Sequence, residues 1–232
     1  MEEFLTAHFW IAVGQIIMID ILLGGDNAVV IALACRKLPP EQRTKGILWG
    51  TAGAIILRVV LIAFALTLLA VPYLKLVGAI LLLWIGVKLL SPGDEDAHST
   101  IEGSDRLWAA VKTVIIADLV MSVDNVIAIA GAATGAGEQH QLPLVIFGLL
   151  VSVPIIIWGS QMVLKLMDRF PFIISVGGML LGWIAGTMAH TDPAVIDWLP
   201  QNRIWYYGLG IGGALLVYLA GAAMRGRAKQ TT

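Results

Sequence analysis

The sequence predicts an all-α polytopic membrane protein with seven transmembrane helices, arranged as two inverted three-helix repeats plus one C-terminal helix. Three observations predict it. Of 232 residues, 58% are hydrophobic and only 13% charged, and the mean hydropathy is +0.86. Soluble domains carry roughly 25% charged residues, about twice as many. Apolar stretches of about 18 or more residues recur, each long enough to cross a bilayer. An acidic motif buried in such stretches occurs twice, 98 residues apart.

The spans are read at roughly 10–34, 46–70, 72–90, 108–133, 142–166, 171–189 and 205–224. Trp10, Trp49, Trp108 and Trp205 stand near predicted ends, where an interfacial belt of aromatic rings belongs. Pro39-Pro40, Pro72, Ser91-Pro92-Gly93, Pro171 and Pro200 punctuate the connections. The chain is a single transmembrane domain. Repeat 1 covers about 10–90, an acidic loop 91–106, repeat 2 about 108–189, and the extra helix about 205–224. The chain opens Met-Glu-Glu without a basic leader region, so the first span is expected to be retained. The lone cysteine, Cys35, excludes an intrachain disulfide and a thiolate-rich metal site. A net charge of -1 gives no reason to expect a nucleic-acid partner.

Basic residues set the orientation. Arg36, Lys37, Arg43 and Lys45 follow the first span. Lys88, Arg106 and Lys112 flank the third connection, Lys165 and Arg169 the fifth, and Arg225, Arg227 and Lys229 follow the last span. If the spans alternate, all of these fall on one side, leaving Lys75 and Arg203 on the other. The positive-inside rule then places the N-terminus outside and the C-terminus in the cytoplasm. The 91–106 loop, with Asp94, Glu95, Asp96, His98, Glu102 and Asp105, reads as a solvated cytoplasmic linker, since its acids lack a regular ligand spacing.

The doubled motif is I-D-I-L-L-G-G-D-N-A-V-V-I-A against A-D-L-V-M-S-V-D-N-V-I-A-I-A. Asp20, Asp26 and Asn27 thus correspond to Asp118, Asp124 and Asn125. Gly50 matches Gly148 at the same offset, while Gly78 matches Gly177 and Trp84 matches Trp183 one residue further apart. Three spans is an odd number, so the second copy enters the membrane from the opposite side. Inverted repeats of this kind bind substrate near the midplane at the repeat interface. With about 1.5 Å rise per residue, all four aspartates fall within roughly 6 Å of the midplane. Inversion brings Asp26 toward the depth of Asp118, and Asp20 toward that of Asp124. Residues seven apart share a helix face, so Asp20 lies with Asn27 and Asp118 with Asn125. Asp26 and Asp124 point sideways unless the helix breaks. Gly24-Gly25 permits a break in the first copy; Ser122-Val123 in the second predicts a more regular helix.

A carboxylate in hydrocarbon is costly unless paired, protonated or metal-bound. Four at equivalent places point to a cation site, with Asp20, Asp26, Asn27, Asp118, Asp124 and Asn125 as metal ligands. Arg58, midway along the second span, needs a carboxylate partner, either as a fixed ion pair or as a charge that competes with the cation. Its counterpart Ile156 is apolar. Carboxylate, amide and carbonyl oxygens suit Mn²⁺, Mg²⁺ or Ca²⁺ better than Cu⁺ or Zn²⁺. His8, His98, His140 and His190 all fall at termini or in connections and read as surface residues. Met18 and Met121 near the acids read as packing residues. Gly178, Gly182 and Gly186, with Gly208, Gly212 and Gly213, read as close-approach faces between the last two helices.

The pattern Asp20…Asp26-Asn27, repeated as Asp118…Asp124-Asn125, resembles the TerC family of integral membrane proteins. The runs Gly24-Gly25-Asp26-Asn27-Ala28-Val29-Val30 and Gly50 to Arg58 are similar to that family too, and the resemblance covers roughly 10–190. It implies a transporter of the LysE superfamily, whose bacterial members are linked to manganese efflux. The family's name comes from tellurium resistance, which does not make tellurite the substrate. Larger relatives carry cytoplasmic domains such as CBS; none is read here, so regulation through them is not expected.

The function expected is a secondary transporter exporting divalent cations, Mn²⁺ first among them, by alternating access, with no permanently bound cofactor. Four acids and one arginine leave a formal -3, which a divalent ion and a proton nearly neutralise. An intramembrane aspartyl protease is the enzymatic alternative, since Gly-Gly-Asp with a second aspartate is loosely similar to such a dyad. It leaves the doubled Asp-Asn pairs unexplained, so the chain is not expected to be an enzyme. A protein delivering metal to secreted enzymes, with the secretion machinery as partner, uses the same residues and stays open, as does a homo-oligomer.

Overall fold

The computed structural model describes residues 10–11, 14–15, 17–18, 25–64, 71–91, 103–133 and 141–228. Among them the chain forms seven helices and no strand: α1 Gly25–Cys35, α2 Pro40–Ala63, α3 Leu74–Leu90, α4 Gly103–Ala133, α5 Gln141–Arg169, α6 Phe172–His190 and α7 Arg203–Ala228. Four stretches are long and apolar enough to cross a membrane: Pro40–Ile62, Val145–Arg169, Phe172–His190 and Arg203–Gly226. At 17 residues α3 is slightly shorter. Its length of about 26 Å still approaches the roughly 30 Å hydrocarbon core.

The helix starts depart from expectation where polar residues continue a helix beyond the apolar stretch. α2 begins at Pro40, six residues early, because proline at the first helical position is pre-set for a helix and gives up no bonded N–H. α4 begins at Gly103, so Asp105 and Arg106 belong to its first turns rather than to the expected loop. The remaining loop acids Asp94, Glu95, Asp96 and Glu102, with His8, His98 and His140, lie outside the described residues. So does Gly24, on which the expected break in the first motif turns, whereas α4 runs unbroken through Ser122 and Val123. α5 continues through Pro154, which withdraws one N–H from its ladder.

The surface is apolar: Trp158, Ile56 and Ile80 are each about two-thirds exposed. A continuous apolar exterior of this kind belongs in lipid. The core is centred on α1, where every residue from Val30 to Cys35 is buried. A helix apolar and buried all round lies inside the bundle. α1 packs on α2, α4, α5 and α6; α4 packs on α1, α2, α3 and α5. The two motif-bearing helices pack on each other, and α7 lies outside against α6 and α3.

Side-chain bonds gather the helix termini at two ends. At one, Arg36 donates to the Leu89 carbonyl (3.3 Å), Lys37 to that of Ser91 (2.8 Å), Arg43 to Asp168 (2.7 Å) and Arg225 to the Ser175 hydroxyl (3.4 Å). This end collects the close of α1, α3, α5 and α7 and the start of α2 and α6. The other end is tied by Asp192, just beyond α6. Its carboxylate accepts the N–H of Tyr73 and Leu76, both at 3.0 Å, and of Ala194 at 2.7 Å. It thereby caps the N-terminus of α3, where Tyr73 adopts a left-handed φ of 67°. Burial alone would raise the Asp192 carboxyl, but these N–H groups, with that of Lys75, hold it below its usual range.

Two expectations are corrected here. His190 is buried, not superficial: its Nε2 lies 3.2 Å from the Pro200 carbonyl and Tyr206 meets it edge-on. The loop 191–202 folds back over the end of α6 and encloses it. The glycines of α6 and α7 also divide differently. A Cβ on Gly182 would strike the Gly213 carbonyl and one on Gly186 the Leu209 carbonyl, so these close the α6–α7 contact. Gly178 instead meets Leu90 of α3, and Gly208 and Gly212 face open space. The α7 contact face is Gly210 and Gly213, three residues apart and so on one side of the helix.

Candidate functional site

Helix α2 carries Arg58 into the bundle, where only 4% of it is exposed. Asp118 of α4 lies opposite, 5% exposed, and Ser122 stands one turn further along α4. The Arg58 Nη2 donates to Asp118 Oδ1 at 2.5 Å and its Nε to Ser122 Oγ at 3.1 Å. Ser122 Oγ in turn donates to Asp118 Oδ2 at 3.1 Å. Both carboxylate oxygens thus accept a hydrogen bond, and the guanidinium is held at two nitrogens. A buried charge needs such pairing, and arginine's planar fork supplies it.

Arg58 and Asp118 border a small cavity, whose space for the centre of a water-sized sphere is about 20 Å³. About 10–15 Å³ on that measure holds one water. Its walls come from four helices: Asn27 and Ile31 of α1; Thr51, Ala54, Ile55 and Arg58 of α2; Asp118 of α4; Leu149, Ser152 and Ile156 of α5. Asn27 is 3% exposed and Thr51 2% exposed. Among the described residues, neither the Asn27 amide Oδ1 and Nδ2 nor the Thr51 Oγ1 has a hydrogen-bond partner. Buried polar atoms are nearly always satisfied, so three unmet ones around one cavity set it apart from the apolar core. Asp118, Asn27 and Thr51 present hard oxygen donors there, with no thiolate or imidazole.

The remaining motif residues fall as follows. The Asp26 carboxylate accepts the Asn27 N–H at 2.9 Å, is partly exposed, and lies within electrostatic range of both Arg58 and Asp118. Asn125 is half-buried on α4. Asp20 and the side chain of Asp124 lie outside the described residues. Among the described residues no three His, Cys, Asp or Glu side chains gather closely enough to hold a metal. Sequence reading missed Thr51, Ser122 and Ser152. The signal for two of them was present: Thr51 stands seven residues before Arg58, two helical turns along one face, and Ser122 four after Asp118, one turn along.

The cavity also relates the two halves. Three pairs of lining positions, Thr51 and Leu149, Ala54 and Ser152, Arg58 and Ile156, have the 98-residue separation of the motifs. The positions match while the chemistry does not: α2 contributes Arg58 and Thr51 where α5 contributes Ile156 and Leu149.

An all-helical chain with a lipid-facing apolar exterior and a charged pair locked inside is a polytopic integral membrane protein. The chain belongs to the TerC family of integral membrane proteins, whose family model matches residues 5–231. It is 43% identical over 187 residues to the uncharacterized membrane protein YjbE of Bacillus subtilis (strain 168), covering 81% of this chain and 83% of that one. It is 28% identical over 188 residues to YceF of the same organism, covering 78% and 71%. It is 25% identical over 192 residues to the UPF0053 inner membrane protein YoaE of Escherichia coli (strain K12), covering 75% of this chain and 36% of that longer protein. No solved structure matches it.

Proposed function

We propose that this protein is a secondary transporter, not an enzyme, that exports divalent metal cations, Mn²⁺ first among them, from the cytoplasm of a bacterial cell. The observation that carries the reading is the buried cavity where Asp118 and Arg58 meet the unpartnered polar atoms of Asn27 and Thr51. A substrate site needs a charged ligand out of lipid and neutral donors held without partners, and these residues supply both. Oxygen donors favour Mn²⁺, Mg²⁺ or Ca²⁺ over softer ions.

Alternating access through two inverted repeats fits the packing. Exchanging α1 with α4, α2 with α5 and α3 with α6 maps the contacts of the two motif helices onto one another: α1 packs on α5 as α4 does on α2, and on α6 as α4 does on α3. Counterpart glycines are reciprocal: Gly78 of α3 meets Val120 of α4, and Gly177 of α6 meets Val29 and Leu33 of α1. Seven spans, with the basic end in the cytoplasm, complete the reading. In it, Asp20, Asp26, Asp124 and Asn125 line the same path as Asp118 and Asn27, and each half supplies ligands.

Uptake of Mn²⁺, Mg²⁺, Ca²⁺ and Zn²⁺ into everted vesicles tests this directly, with Mn²⁺ expected to accumulate fastest. Asp26→Asn, Asp118→Asn and Asp124→Asn keep shape and remove charge, and each is expected to stop uptake at normal protein levels. Asn27→Ala and Asn125→Ala remove a neutral donor and are expected to weaken affinity without abolishing transport. Wild-type uptake by Asp124→Asn would confine the site to residues already gathered around the cavity.

A further inference from the structure

We infer that Arg58 is a tethered counter-cation: it neutralises Asp118 whenever no metal ion occupies that carboxylate, and a divalent cation binds by displacing it. The inference rests on the transport reading above and assigns Arg58 its part in the cycle. Both oxygens of Asp118 already accept hydrogen bonds, one from Arg58 and one from Ser122. A metal ion coordinated by Asp118 must use a lone pair that those hydrogen bonds leave open. It must also avoid a guanidinium bonded to the same carboxylate, since two cations sharing one carboxylate repel strongly away from water. Arginine cannot relieve that repulsion by losing its proton. The guanidinium has to move.

The surroundings allow the exchange. Arg58 borders the cavity. The Asn27 and Thr51 side chains, whose polar atoms have no hydrogen-bond partner among the described residues, stand on the α1 and α2 walls as neutral oxygen donors for the incoming ion. Asp26 is a second carboxylate within electrostatic range of Arg58. The repeat counterpart of Arg58 is Ile156, so α5 brings no second charge to the cavity. Among the described residues, the cavity lining thus holds one positive charge and one carboxylate. After the metal leaves, Arg58 returns, and Asp118 crosses between the two access states as a neutral pair. A lone carboxylate would resist that passage through the low-dielectric centre.

The test compares purified wild type with R58Q and R58K for Mn²⁺ binding, and in vesicles for net Mn²⁺ uptake and for exchange of radioactive against unlabelled Mn²⁺. R58Q removes the competitor and is expected to bind Mn²⁺ with a Kd about tenfold lower or more, because no fraction of sites stays closed by the guanidinium. Its net uptake is expected to fall to background while exchange persists, since exchange never requires the metal-free carrier to reorient. R58K keeps the charge but not the fork, and is expected to bind with intermediate affinity and keep reduced net uptake. Should R58Q fail to fold, R58K against wild type decides the matter with the same readouts. A folded R58Q, or in its absence R58K, that binds no tighter than wild type overturns the counter-cation role and leaves transport standing. So does wild-type net uptake by R58Q. A wild type that neither binds nor moves any of the four metals overturns both.

Discussion

Asp192 shows how far a single carboxylate can organise a membrane bundle without taking part in its chemistry. It sits after α6 yet caps α3, accepting the N–H groups that begin that helix. Removing an N-cap costs about 0.5–2 kcal/mol, and an amide here keeps Oδ1, which accepts from Tyr73 and Ala194, but puts a donor in place of Oδ2, which accepts from Leu76. Asp192→Asn is therefore expected to lower stability in detergent by about 1–2 kcal/mol at neutral pH. The folded carboxyl is held below its unfolded range, so its contribution is complete above about pH 4 and fades as pH falls through the lower folded value. The melting gap between wild type and variant should close on acidification. A gap that stays constant down to about pH 3 would deny the charge any part.

Among the elements, the α6–α7 contact depends on absent side chains. Apolar side chains gain little by leaving lipid for one another, so close backbone approach has to supply the attraction. Gly182, Gly186 and Gly213 give it, with carbonyl groups standing where a Cβ would go. Gly182→Val and Gly186→Val are expected to push α7 away and lower stability by about 1–3 kcal/mol, or prevent folding. Gly208→Val and Gly212→Val point into open space and should stay within about 0.5 kcal/mol of wild type. Thermal unfolding of the four purified variants measures this; equal losses in all four would deny the close α6–α7 contact the governing part. α5 presents the opposite design, a helix carried through Pro154 next to the cavity-lining Ser152.

Across the whole molecule, the basic residues Arg36, Lys37, Arg43 and Arg225 meet at one end, while Lys75 bonds Thr191 at the other. The positive-inside rule assigns the first end to the cytoplasm. Cysteine labelling checks it on a Cys35→Ala background, Cys35 itself being buried. A cysteine at Ala97 should resist an impermeant reagent in intact cells and react once the membrane is opened. Labelling from outside would reverse the orientation and, with it, the direction proposed for transport.

What the sequence alone determined is what depends on local composition and spacing. Apolar runs of bilayer length place the helices: each predicted span overlaps a helix among the described residues, and four of these are long and apolar enough to cross a membrane. The doubled motif and the isolated Arg58 singled out the chemistry, because charge in hydrocarbon is too costly to be incidental. Only the tertiary structure decided which carboxylate Arg58 holds. Asp26 and Asp118 were both within its expected depth, and the register of α2 against α4 selects Asp118, with Ser122 completing the bond. The same holds for Thr51, an ordinary residue of an apolar helix until packing closes α1, α4 and α5 around it, and for His190, which a returning loop buries. Periodicity along one helix shows which residues share a face. Which neighbour that face meets depends on all seven helices packing at once.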